Sequence, residues 1–234
     1  MKKRFRQYIG FLVDLFYPRL CPVCGRALQH HEPHLCLHCL QNIPRTQLHL
    51  HGSDNEMEQL FRGKVPVEKA AAFFYFTHSG DYRHLIHHIK YRGEKECARY
   101  LGALYAREIG SRFFADIDLL VPVPLHPRRL RKRGYNQSEY IAAGIADATG
   151  VPVAPEVLQR IRQTQSQTAK GIYQRWKNTR DSFRLQSQPE NIEGKHLLLI
   201  DDVVTTGATL LACIEALHDI KNIKISLLTL SMAR

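Results

Sequence analysis

Two groups of residues in this sequence have the types and spacing for chemistry. In "LLLIDDVVTTGATL", Leu197 to Leu210, apolar residues run into adjacent carboxylates, Asp201 and Asp202, and then into a hydroxyl-rich turn with a glycine. A strand leading through such a turn into a helix offers backbone N–H groups and the hydroxyls of Thr205, Thr206 and Thr209 at a helix N-terminus. That is a phosphate cradle, with Gly207 allowing close approach of the backbone. The chain has no G-x-x-x-x-G-K-[ST], so this is not a P-loop. With no lysine in the turn, a single phosphate suits it better than a triphosphate. The two carboxylates serve as acceptors for hydroxyls or reach a hydrated Mg²⁺. A sugar with two hydroxyls and a terminal phosphate satisfies both halves. No basic residue stands beside the acids in sequence, so the compensating charge is expected from the metal and the polarised hydroxyls.

The second group is Cys21, Cys24, Cys36 and Cys39 in "CPVCGRALQHHEPHLCLHC". Each C-x-x-C places two thiolates on one knuckle, and two facing knuckles give the tetrahedral sulfur coordination that suits Zn²⁺. Pro22 and Gly25 fit the tight turns of a knuckle. Redox pairs or a disulfide framework are the competing reading, disfavoured in a cytosolic setting. His30, His31, His34 and His38 lie nearby, but four thiolates already close the site, so the metal is expected to hold a small fold together. Cys97 and Cys213 fall in helical patterns and read as core.

Among the elements that must position these groups, "KAAAFFYF" reads as a buried strand. "DYRHLIHHIKYRGE" and "CARYLGALYAREIG" read as helices closed by Gly93 and Gly110. "DIDLLVPVPLH" reads as a strand leading into a proline-stiffened loop, and "NQSEYIAAGIADATG" as a helix. "HLLLI", "ATLLACIEALHDI" and "IKISLLTL" give strand, helix and strand. Strands alternating with helices imply an α/β fold with a largely parallel sheet wound on both faces, which binds ligands at the carboxyl ends of its strands. Asp201 and Asp202 fall at that edge.

The chain has 234 residues, enough for one sizeable α/β core and a smaller appendage. The polar stretch after the cysteines suggests a boundary, giving an N-terminal helix and zinc module over residues 1–60 and a larger domain over 61–234. With 44% hydrophobic and 24% charged residues, the composition is that of a globular protein. No apolar run reaches the roughly 18 residues that span a bilayer. The N-terminus begins like a signal peptide, but Asp14 interrupts its apolar stretch and no cleavage site follows. An amphipathic helix with Phe5, Ile9, Leu12, Val13 and Phe16 on one side fits better, and a cytoplasmic location is expected. The formal net charge of +11 favours anionic partners, phosphates or nucleic acid, without choosing between them.

"LLLIDDVVTTGAT" resembles the phosphoribosyl-pyrophosphate (PRPP) loop of type I phosphoribosyltransferases. Moreover the four-cysteine knuckle, "YRHLIHHIKYRGE", "VPVPLHPRRLRKRGYNQSE", "RQTQSQTAKGIYQRWKN" and this loop follow the order found in the ComF family. The resemblance implies a type I phosphoribosyltransferase fold joined to a zinc module. It implies that Asp201 and Asp202 hold the ribose hydroxyls and that Val204, Thr205, Thr206, Gly207, Ala208 and Thr209 wrap the 5′-phosphate. The pyrophosphate loop would begin around Pro122 to His126, with Arg128 a direct contact. Lys90, in a recurrent K-Y-x-G element, would face the substrate. Arg129, Arg131, Lys132 and Arg133 cannot all point inward as well; a solvated face or a track for nucleic-acid phosphates are equal readings of the remainder.

Two functions follow. One is an enzyme transferring phosphoribosyl from PRPP, with Mg²⁺, to an acceptor that the sequence does not identify. Hypoxanthine-guanine phosphoribosyltransferases carry an acid where Thr205 stands, which argues against that purine chemistry. The other is a non-catalytic protein that senses PRPP or nucleotides, or handles single-stranded DNA. For either reading the resemblance implies a role in natural competence, with a helicase as a candidate partner. Segment 162–178 reads as a loop that closes over substrate or as ordinary surface, and Tyr135, Tyr173 and Trp176 stand near basic residues as base-stacking aromatics would.

Overall fold

The computed structural model describes residues 18–51, 54–77, 79–161, 182–186 and 188–234. The N-terminal amphipathic helix and segment 162–178, including Tyr173 and Trp176, lie outside these residues. The strands are β1 (Ala70–Phe76), β2 (Leu119–Pro122), β3 (Leu158–Arg160), β4 (Phe183–Leu185), β5 (His196–Val204) and β6 (Lys224–Ala233). The helices are α1 (Leu37–Gln41), α2 (Glu56–Gln59), α3 (Tyr82–Tyr91), α4 (Lys95–Ile109), α5 (Ser111–Phe114), α6 (Pro127–Arg133), α7 (Gln137–Thr149) and α8 (Ala208–Glu215).

β1, β6, β5 and β2 form, in that order, a sheet in which every pairing is parallel. Its central strand reads as an unbroken apolar run because both faces are covered. Leu198 and Ile200 face the layer of α3, α4 and α7. Leu197 and Leu199 face the layer of α8, β3 and the segment around Met57 and Phe61. Burying one such side chain stabilises the fold by roughly 1.5–3 kcal/mol. In the first layer α4 and α7 approach closely at Gly102 and Gly144, where a Cβ would run into the other helix's backbone at Ile141 and Arg99.

Two parts differ from the sequence reading. The loop expected after β2 contains a helix, α6, because His126 caps it and Pro127 takes its first position. β3 and β4 form an antiparallel pair outside the main sheet. The stretch after the cysteines is fastened to β1: Thr46 N–H donates to the Phe73 carbonyl at 3.0 Å, and Asn55 Nδ2 donates to the Ala70 carbonyl at 2.8 Å. Among the described residues, no helix is long and apolar enough to cross a membrane.

Candidate functional site

β2 ends with Pro122 opposite Ile200, whereas β5 continues beside β6 as far as Val204 opposite Met232. Asp201 and Asp202 therefore lie just past the last β2 pair, at the carboxyl end of the paired strands. The N-terminus of α7 meets them there. Asn136 caps that helix, accepting from Ser138 N–H at 3.2 Å, while its Nδ2 donates to the Val123 carbonyl at 3.1 Å. This cap delivers the next two side chains to the acids. Ser138 Oγ donates to Asp201 Oδ1 at 3.1 Å, and Gln137 Nε2 to Asp202 Oδ2 at 2.9 Å. Asp202 N–H also donates to Asp201 Oδ1, at 2.9 Å.

A positive charge that the sequence did not place beside the acids is supplied by Lys90 near the end of α3, whose Nζ lies 3.2 Å from Asp202 Oδ2. Arg133 Nη1 donates to Gln137 Oε1 at 2.9 Å, which turns the amide NH₂ toward Asp202. The same guanidinium stacks 4.9 Å above the ring of Tyr91, the neighbour of Lys90. Tyr135 donates to the carbonyl of Ile89, fixing that end of α3 again. The acids are 9% and 4% exposed. Burial, reinforced by the charge of Asp202, pushes Asp201 up to about 7, against the N–H of Asp202, Lys90 and Ser138, which pull it down.

After Val204, which is buried, Thr205 is exposed, and Thr206, Ala208 and Thr209 are half-buried. Gly207 is the N-cap of α8 in a left-handed conformation, φ +75°, with no side-chain cap bond. A Cβ there would stand 2.9 Å from the Phe61 ring, so the close approach this glycine permits in the fold is to Phe61, which supports the turn from below.

α6 sorts the basic run. Arg129 and Arg133 are half-buried and share one face at i, i+4 spacing, whereas Arg128, Arg131 and Lys132 are exposed. His126 Nδ1 accepts from Arg128 N–H at 3.2 Å. Burial, then the charges of Arg128, Arg160, Arg129 and Arg131, lower the pKa of His126. Arg160, at the end of β3, is 7% exposed, lies 5.0 Å from the Phe183 ring and interacts electrostatically with Arg129, Asp201 and Arg133.

The four thiols of Cys21, Cys24, Cys36 and Cys39 converge, with all sulfurs within 4.8 Å of one another. The Cys24 to Cys36 separation of 3.7 Å matches the edge of a sulfur tetrahedron around zinc, about 3.8 Å. The cluster could thus hold a metal ion such as zinc. Cys21 N–H donates to the Arg26 carbonyl at 2.8 Å, closing the first knuckle, and Cys39 N–H points at Cys36 Sγ at 3.4 Å. Burial raises the pKa of Cys21, but backbone N–H groups of Cys36, Cys24 and Val23 outweigh it and bring the thiol down to about 7. Glu32 braces the loop between the knuckles, accepting from the N–H groups of Gln29 at 2.8 Å and Leu37 at 2.7 Å. Cys97 and Cys213 are buried and do not belong to this group of four.

Gln137, Ser138, Arg133, Arg160 and Phe61 were not read as site residues. One signal pointed to the first two: Asn136 with Glu139 three residues on marks a helix start, hence which side chains sit at its N-terminus.

A parallel sheet with helices on both faces, and paired acids running through a glycine turn into a helix, defines a phosphoribosyltransferase domain. A family model described as "Phosphoribosyl transferase domain" matches residues 128–231. The "DNA utilization protein YhgH" of Salmonella typhimurium is 30% identical over 195 residues, 81% of this chain and 74% of its own. The "Competence protein ComFC" of Bacillus subtilis is 23% identical over 194 residues, 82% of this chain and 68% of its own. A solved structure described as the allosteric regulatory enzyme of purine biosynthesis is 20% identical, with a TM-score of 0.38 over 57% of this chain and 25% of its own. The chain belongs to the ComF family.

Proposed function

We propose that the site at the carboxyl ends of β2 and β5 binds PRPP, with Mg²⁺ arriving on the diphosphate of the substrate, and that the bound sugar is the donor for phosphoribosyl transfer. One observation carries this: buried, hydrogen-bonded acids and a glycine turn opening a helix lie on a single strand-to-helix junction. In this reading Asp201 and Asp202 accept the ribose hydroxyls. The backbone from Val204 to Thr209 encloses the 5′-phosphate. The diphosphate lies toward Arg129 and Arg160, beside His126 and with Arg128 at the outer lip, so the fixed guanidinium groups receive the charge that develops as it departs. Bound Mg²⁺ would offset part of that same charge. Four thiolates hold a structural Zn²⁺, which is closed and takes no part in the chemistry.

A ligand that binds only the folded state raises the melting temperature in proportion to the logarithm of its concentration. PRPP with Mg²⁺ should therefore raise the melting temperature of the native chain, and should fail to do so for Asp202→Asn. An unchanged melting temperature of the native chain at millimolar PRPP would contradict the proposal.

A second reading rests on the outward face of α6, where Arg128, Arg131 and Lys132 are exposed. The names of the relatives, "DNA utilization" and "Competence", favour DNA as the polyanion there, and the ComF resemblance adds single strands and a helicase partner. Phosphate-track binding weakens steeply with salt. Replacing these three residues by alanine should flatten that dependence and leave PRPP binding in place; no retention of single strands at low salt would remove this reading.

A further inference from the structure

We infer that Lys90 is a built-in counter-ion of the acid pair, so that Asp201 and Asp202 recognise hydroxyl groups and hold no divalent cation of their own. The ammonium of Lys90 lies 3.2 Å from Asp202 Oδ2, and Gln137 Nε2 donates to that oxygen at 2.9 Å. On the neighbouring side chain, Ser138 Oγ and the Asp202 N–H both donate to Asp201 Oδ1. One oxygen of each carboxyl group is thus already committed to donors.

A metal ion bound directly to this pair would stand beside a fixed ammonium group, two like charges at short range in a buried place. Mg²⁺ also demands octahedral coordination and keeps several waters, for which acids this buried leave little room. A sugar hydroxyl is a neutral donor and can bind an uncommitted carboxylate oxygen without displacing Lys90.

The helix end that carries Lys90 is held in place. Leu85, Ile86 and Ile89 bury the inner face of α3, Tyr135 donates to the Ile89 carbonyl, and Arg133 stacks on Tyr91. The lysine lies outside residues 128–231, the region that the family model matches. The consequence is a division of labour: the acids hold the diol without metal, and any Mg²⁺ requirement belongs to the diphosphate.

The test uses Mn²⁺ alone, a spectroscopic substitute for Mg²⁺, titrated into the full chain while electron paramagnetic resonance reports free Mn²⁺. The native chain should show no Asp202-dependent Mn²⁺ site at concentrations up to about 1 mM. Lys90→Met should gain one site, at least about tenfold tighter, that disappears when Asp202→Asn is added. Lys90→Arg should remain without it. A native chain that binds one Mn²⁺, lost in Asp202→Asn, would overturn the inference, as would a folded Lys90→Met protein that gains nothing. The comparison of native chain with Asp202→Asn decides even if Lys90→Met does not fold. Because no sugar phosphate is present, the outcome is independent of whether PRPP binds.

Discussion

Tyr82 donates its hydroxyl hydrogen to the backbone carbonyl of Cys39 at 2.7 Å, fastening the cysteine cluster to the first turn of the helix that ends in Lys90. Cys21, Cys36 and Cys39 also share one apolar layer with Leu85, Ile89, Leu101 and Ile141. The cysteine cluster and the helix layer that backs the acid pair are thus packed as one body of side chains.

Cys36→Ser should therefore lose its bound metal and destabilise more than the knuckles, by about 2–5 kcal/mol. Tyr82→Phe should keep the metal and cost about 1 kcal/mol. Metal analysis and denaturant unfolding of both variants check this; full metal content in Cys36→Ser would show that the cluster does not hold an ion.

Gly207→Ala combines a left-handed backbone with a collision against Phe61. It should cost about 1–2 kcal/mol in stability and lower affinity for ribose 5-phosphate. Phe61→Leu in the same chain relieves the collision, so measured against Phe61→Leu alone, which carries its own packing cost, only the backbone part of the loss should remain. Thermal unfolding and ligand titration separate the two.

On α6, Arg129 faces inward and Arg128 outward. Arg129→Ala should weaken pyrophosphate binding about tenfold to a hundredfold, the value of a charge-assisted hydrogen bond. Arg128→Ala should change it little. Equal effects would mean that the helix does not sort its charges in solution.

Asp201, pushed up to about 7 from an ordinary value of 3.8, gives stability a defined pH dependence. A carboxyl group whose folded value is raised contributes stability that is fully present below its unfolded value and is lost as pH rises through the folded one. His196, pushed down by burial, acts in the opposite sense: its contribution is present above the unfolded histidine value and is lost as pH falls. Comparing Asp201→Asn with the native chain isolates the first effect. The variant should be the more stable of the two at pH 8, with the gap closing toward pH 4 in denaturant unfolding.

The site was legible in sequence where its parts are local. Paired acids after four apolar residues, and two C-x-x-C pairs, need only neighbouring residues to be recognised, and the strands and longer helices followed from period and caps. Lys90 was legible as the cationic end of a helix, but its partner was not, because that pairing is set by how α3 packs across the sheet. α6 was hidden because it buries no residue and so carries no apolar period. Three-residue strands such as β3 and β4 are too short to announce themselves, and with them Arg160 stayed out of view. Phe61 beneath Gly207 is a long-range contact that no local pattern encodes.

The central claim, that the acid pair and the turn after it hold a phosphoribosyl group, is tested most directly by calorimetric titration with PRPP and Mg²⁺ of the native chain beside Asp201→Asn/Asp202→Asn. The account predicts one site in the native chain and at least about a hundredfold loss in the double variant. No heat of binding in the native chain, or equal affinity in both proteins, would contradict it.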